Sequence, residues 1–120
     1  MYRGGESRFP PTMRLKRRND FGCVYREGVT WRGRDFSLYV LLRDEGTRLG
    51  ITISRKWGTA VERNRMKRCL REAFRQQARF LPNADIIVKP TSARRGHSVG
   101  ALGQMLIDAV REIAEKEVSR

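Results

Sequence analysis

Cysteine and histidine are nearly absent: two cysteines, Cys23 and Cys69, and one histidine, His97, in 120 residues. The cysteines stand far apart and match no metal-ligand spacing, so a zinc site is excluded and two reduced core thiols are expected. His97, between Gly96 and Ser98, has neither a Cys nor a carboxylate beside it. No nucleophile elbow accompanies it, so a Ser-His-Asp triad has no support. No GxxxxGK[ST] phosphate loop occurs. No apolar run reaches the roughly 18 residues of a membrane span. Residues 1–12 have no apolar stretch, so no secretory signal is expected there. Acidic residues are also scarce, 13 against 26 Lys plus Arg, which leaves a net charge of +13. Such a surplus repels itself until a polyanion neutralises it, which points first to nucleic acid.

What is present fits one domain. Residues 1–13 are rich in Gly, Pro and Arg and read as a flexible basic arm. Residues 14–120 form the domain. Asn19 or Asp20 is positioned to cap a short helix that Gly28 ends, with Phe21, Val24 and Tyr25 on one face. A short strand is expected around residues 29–31. Residues 34–42 alternate, with Phe36, Leu38, Val40 and Leu42 facing one way and Asp35, Ser37 and Tyr39 the other. A turn with Gly46 leads to a strand over 48–54, whose core face is Leu49, Ile51 and Ile53. These two strands are expected to pair as a hairpin.

Thr59-Ala-Val-Glu62 is a capping box, so a helix is expected to run from 59 to about Phe80, stopped by Pro82 and Asn83. Residues 84–89 read as a buried strand. Residues 90–98 read as a loop that contains Arg94 and Arg95. The last helix, 98–118, carries Val99, Leu102, Leu106, Ala109, Val110 and Ile113 on one stripe. The class is α+β, with helices layered on a sheet in the order α-β-β-β-α-β-α.

The helix after Thr59 concentrates the charge. Between Arg55 and Arg79 there are nine basic and two acidic residues. At about 100° per residue, Asn64, Lys67, Arg68, Arg71, Arg75 and Arg79 fall within an arc of about 120°. Met66, Cys69, Leu70, Ala73 and Gln77 take the opposite side. Arg63 falls toward the apolar side and Arg65 on the flank. A solvated helix face normally mixes signs; this one does not, and its arginines suit bidentate phosphate contacts. No helix-turn-helix, zinc finger or basic zipper is present. On the sheet, Gly50, Thr52 and Ser54 share a polar face beside Tyr39. A first helix packed near it would add Phe21 and Tyr25 as an aromatic rim, a groove suited to single-stranded nucleic acid.

At 48–75, RLGITISRKWGTAVERNRMKRCLREAFR, the chain resembles the signature region of the bacterial ribonuclease P protein subunit. RLKRRNDFGCVYREG and RGRDFSLYVL upstream resemble that family's first helix and second strand, so the likeness covers roughly residues 14–88. The resemblance implies a two-layer, ribosomal-protein-like α-β-β-β-α-β-α sandwich with an unusual left-handed βαβ crossover, where handedness rules alone favour the right-handed form. It implies a cytoplasmic protein that joins a large catalytic RNA in cleaving the 5′ leader from precursor tRNA. The chemistry and its Mg²⁺ belong to the RNA; no catalytic residue, metal site or obligate protein partner is expected in the protein.

Carried over position by position, the resemblance assigns Arg63, Asn64, Arg65, Lys67, Arg68 and Arg71 to the catalytic RNA, and Arg75 continues their stripe. It assigns Phe21, Tyr25, Ser37, Tyr39, Thr52, Ser54 and Lys56 to a groove for the single-stranded leader. Trp57 departs from the family's small aliphatic residue, Thr59 from a common Asn and Tyr25 from a frequent Phe; Gly22 and Cys23 are unusual in the first helix. The alternative is a ribosomal or RNA-chaperone protein without enzymatic context. A protein-only nuclease would need clustered carboxylates, and Asp35 is the one acidic residue near the groove.

Overall fold

The computed structural model describes residues 10–91 and 98–118. The greater part of the expected arm, together with Arg94, Arg95 and His97, lies outside them. The elements are α1 (Arg18–Glu27), β1 (Val29–Arg32), β2 (Phe36–Leu42), β3 (Arg48–Ile51), α2 (Ala60–Gln77), β4 (Ala84–Pro90) and α3 (Val99–Val118). Their order is the expected one.

The expected hairpin does not form. The sheet runs β1-β2-β4-β3, with β4 antiparallel to β2 and parallel to β3. Burial explains this. Ala84, Asp85, Ile86, Ile87 and Val88 are all buried, and a strand buried on both faces belongs in the middle of a sheet. β3 carries Arg48 and Gly50 on one face and is better placed near an edge. It stops at Ile51, although Thr52 N–H still donates to Val88 O at 3.1 Å. The backbone before α1 then lengthens this edge, as Leu15 N–H donates to Leu49 O at 2.9 Å.

The two faces of the sheet are covered differently. Phe36, Leu38, Val40, Leu49, Ile86 and Val88 meet Leu70 and Phe74 of α2 and Leu102, Leu106 and Val110 of α3 in the main core. Every residue of the expected α3 stripe lies in that core or packs against it. Trp57 is buried there too and so fills space that a small aliphatic residue would leave open. On the other face, α1 lays Val24 against Leu15 and Ile87, with Phe21, Tyr39 and Leu41 beside them.

Thr59 Oγ1 accepts from Glu62 N–H at 3.1 Å, and Glu62 Oε1 accepts from Thr59 N–H at 2.8 Å, completing the capping box. The helical geometry ends at Gln77, and residues Ala78–Phe80 tighten into a 3₁₀ turn. At α1 the expected cap is corrected. The helix begins at Arg18, earlier than a cap at Asn19 or Asp20 allows, and no side chain caps it. Asp20 instead sits in the first turn, favourable for the helix dipole, with its carboxylate 3.7 Å from Arg48. Gly28 does end α1, but at φ −83°. A Cβ there would lie 2.6 Å from Val24 O and 2.7 Å from Val40 O. Close approach to two carbonyls, not positive φ, requires the glycine. Gly46 does adopt positive φ, 82°, in the turn before β3.

Candidate nucleic-acid interface

Two surfaces stand on opposite sides of the sheet. The first is the outer face of α2. With Leu70, Ala73 and Phe74 buried, the helix has one orientation, and Asn64, Lys67, Arg68 and Arg71 come together around a shallow open depression. Val61, 77% exposed, forms its apolar wall. Among the described residues, none of the three cations here pairs with an acidic side chain. Half-burial and then the positive charge of Arg14 lower the Arg71 pKa from the usual arginine value. The guanidinium stays charged at neutral pH, so the cluster holds unrelieved positive charge that an anion would offset.

The remaining members of the expected set are engaged elsewhere or set aside. Arg63 Nη1 donates to Gly58 O at 2.7 Å and to Arg55 O at 3.4 Å, which pins the loop ahead of α2. Its place on the wheel, toward the apolar side, foreshadowed this. Arg75 holds Glu72 through Nε and Nη2 at 3.2 and 2.7 Å. That pair raises the Arg75 pKa and lowers the Glu72 pKa. Arg65 is exposed on the flank.

The second surface is the cleft between α1 and the sheet. A two-pronged ion pair between β3 and β4 lies beside α1. Arg48 Nε and Nη2 each lie 2.7 Å from a carboxylate oxygen of buried Asp85. Asp20 of α1 approaches the same guanidinium, and Arg43 lies 3.6 Å from Asp85. α1 then rests Phe21 on Gly50, where a Cβ would come within 2.6 Å of Phe21 Cζ. One turn on, Tyr25 meets Tyr39 edge to face, centroids 4.9 Å apart and planes at 73°. Thr52 hydrogen-bonds the Tyr25 phenol; burial, and next Tyr39, outweigh that bond and raise the Tyr25 pKa. Tyr25 remains 45% exposed.

The expected groove residues therefore divide. Phe21, Tyr25, Tyr39 and Thr52 converge. Ser37 shares their face but is buried. Ser54 is exposed at the mouth, its hydroxyl accepting from Lys56 N–H at 3.1 Å, and Lys56 is exposed beside it. Arg32 and Lys89, both exposed, flank Ser37 in register across β1, β2 and β4 and place cations on the same face. Sequence reading missed both. Alternation along β4 puts Lys89 on the Ile87 face, but its neighbours depend on β4 entering the middle of the sheet. Arg14 was missed for the same reason, because its place follows from the bridge to Leu49.

No described group of three or more His, Cys, Asp or Glu side chains is placed to hold a metal ion. No described helix is long and apolar enough to cross a membrane.

A small basic α+β protein with one strongly cationic helix face is the class these features define. A family model described as Ribonuclease P matches residues 9–114, and the chain belongs to that family. The "Ribonuclease P protein component" of Finegoldia magna is 33% identical over 110 residues, covering 91% of this chain and 97% of the relative. That of Chlamydia pneumoniae is 38% identical over 109 residues, covering 88% and 76%. Two solved structures share the fold. The Staphylococcus aureus RNase P protein superposes with a TM-score of 0.72 at 32% identity, over 85% of this chain and 94% of that one. The Thermotoga maritima protein gives 0.72 at 30%, over 83% and 96%. The family name carries a ribonucleoprotein context in tRNA processing.

Proposed function

We propose that this chain is the protein subunit of ribonuclease P. It binds the catalytic RNA through the outer face of α2 and holds the single-stranded 5′ leader of precursor tRNA in the cleft under α1. The RNA carries out the hydrolysis with Mg²⁺, in the cytoplasm and without a further obligate protein. The observation that carries this reading is the separation of two unlike surfaces by one sheet. The α2 depression is cationic and nearly without acid, which suits phosphates regardless of sequence. The cleft offers ring edges and faces at Phe21, Tyr25 and Tyr39, with Arg32, Lys56 and Lys89 to follow a backbone, which suits an unpaired strand.

The mechanism that follows is electrostatic and positional. Cations at Lys67, Arg68 and Arg71 reduce repulsion between RNA phosphates and lower the Mg²⁺ needed for a compact RNA. Stacking in the cleft is available to a tRNA that still carries its leader and not to the mature product. Substrate is thereby favoured over product. The test is reconstitution with a bacterial ribonuclease P RNA at low Mg²⁺, reading leader cleavage. Rescue by the protein is expected; no rescue with any bacterial ribonuclease P RNA would remove the proposal.

A further inference from the structure

Past the end of α2, one exposed ring has no part in either surface described above. Phe80 is 50% exposed, and the Arg79 guanidinium lies over it, 4.9 Å from the ring centroid. The ring does not trail from a loose end. Residues Ala78–Phe80 form a 3₁₀ turn closed by Leu81 N–H donating to Ala78 O at 3.1 Å, and Leu81 itself is buried in the main core. The turn is thus anchored on both sides of Phe80. Among the described residues, Arg79 makes no ion pair with an acidic side chain. Arg79 stands two residues past Gln77, at the C-terminal end of the helix that carries Lys67, Arg68 and Arg71.

An isolated exposed phenylalanine is ordinary on a protein surface. This one is pre-oriented by a guanidinium and stands at the end of a cationic helix face. The combination is what a nucleotide requires: a flat apolar surface for the base and a positive charge for its phosphate. We propose that Phe80 and Arg79 form a nucleotide-stacking platform for an unpaired base of the RNA that docks on α2. The proposal rests on the reading of α2 as the surface for the catalytic RNA. The leader is not the occupant, because Phe80 follows a helix that packs on the sheet face opposite the aromatic cleft. Stacking on the platform adds a sequence-tolerant contact that salt does not screen, at the end of a row of contacts that salt does.

The experiment measures equilibrium binding of the full-length protein to a bacterial ribonuclease P RNA, without tRNA, over a series of salt concentrations. Phe80→Ala is expected to weaken binding by about five- to 150-fold, the range for loss of one base–aromatic stack, with the slope of log K against log salt unchanged. Phe80→Tyr keeps a ring and is expected to bind within about threefold of wild type. Arg79→Gln is expected to make the slope shallower by about one, as for one lost phosphate contact. Equal affinity of Phe80→Ala and wild type would overturn the platform, and so would a Phe80→Tyr protein as weak as Phe80→Ala. Failure of the wild-type protein itself to bind would instead overturn the assignment of α2, and the platform with it.

Discussion

The α2 face and the α1 cleft, the two surfaces proposed to meet RNA, differ in almost every physical respect. The α2 face rests on a deep core, holds like charges with little acid between them, and is readable from an angular plot. The cleft is a seam between a short helix and a sheet, made of rings, small residues and hydroxyls, and it exists only when α1 is seated. Charge can be accumulated on one element, because each residue contributes independently. An aromatic cleft needs distant residues to arrive together. Here Asp20, Arg48 and Asp85 bring them together, and Gly50 leaves room for the ring.

The contrast is best broken at its strongest point. Reversing charge at Arg68 and Arg71 together (Arg68→Glu, Arg71→Glu) is expected to weaken binding to the catalytic RNA by about a hundredfold or more and to make the salt slope shallower by about two. A slope that does not move would mean that these side chains do not meet phosphates. The cleft should respond differently. Phe21→Ala and Tyr39→Ala are each expected to lower the affinity of the reconstituted enzyme for leader-bearing tRNA by about five- to 150-fold and to leave mature tRNA unaffected. Equal losses for both tRNAs would make the residues structural.

Smaller effects sharpen the same comparison. Gly50→Val intrudes on Phe21 Cζ and on Leu15 Cδ2, which a Cβ would meet at 3.1 Å. It is expected to reduce the preference for leader-bearing tRNA several-fold while the affinity for the catalytic RNA stays within about twofold. A matching loss in both would show that the two surfaces are coupled through the sheet. Glu72→Gln releases Arg75 from its carboxylate and is expected to tighten RNA binding by about two- to threefold at low salt, the gain fading as salt rises. The Glu72 carboxyl titrates below its ordinary value because of Arg75. Its contribution to stability is therefore present above the unfolded-state pKa and is lost as pH falls through the folded one. For a partly exposed surface pair three residues apart, that contribution is a few tenths of a kcal/mol, so Glu72→Gln should scarcely change the melting temperature at neutral pH.

How far the sequence could be read follows the same division. The capping box at Thr59 and Glu62 and the wheel around Asn64 are local, and both hold in the structure. So do the stripe on α3 and, from Phe36 to Val40, the core face of β2, since each depends on a single element's period; Leu42, expected on that face, is instead 45% exposed. The readings that fail depend on pairing. Two neighbouring strands looked like a hairpin, but β4, buried on both faces, outcompetes β3 for the place beside β2. With that order unknown, Lys89 and Arg32 had no visible neighbour and Ser37 no visible burial. Periodicity also gives direction without occupancy. Arg75 lies in the cationic arc but meets Glu72, and Arg63 is drawn to the carbonyls of Arg55 and Gly58. Gly28 was placed correctly for the wrong reason, because the carbonyl of Val40 that it must clear belongs to another strand.

The central claim is that the two surfaces act separately. Its most direct measurement is the ratio of affinities for leader-bearing and mature tRNA in the reconstituted enzyme, taken for wild type and for Tyr25→Ala with Tyr39→Ala, beside the affinity of each protein for the catalytic RNA. The ratio is expected to fall toward one in the double variant while the affinity for the catalytic RNA stays within about twofold of wild type. An unchanged ratio, or a loss of equal size in the affinity for the catalytic RNA, would contradict it.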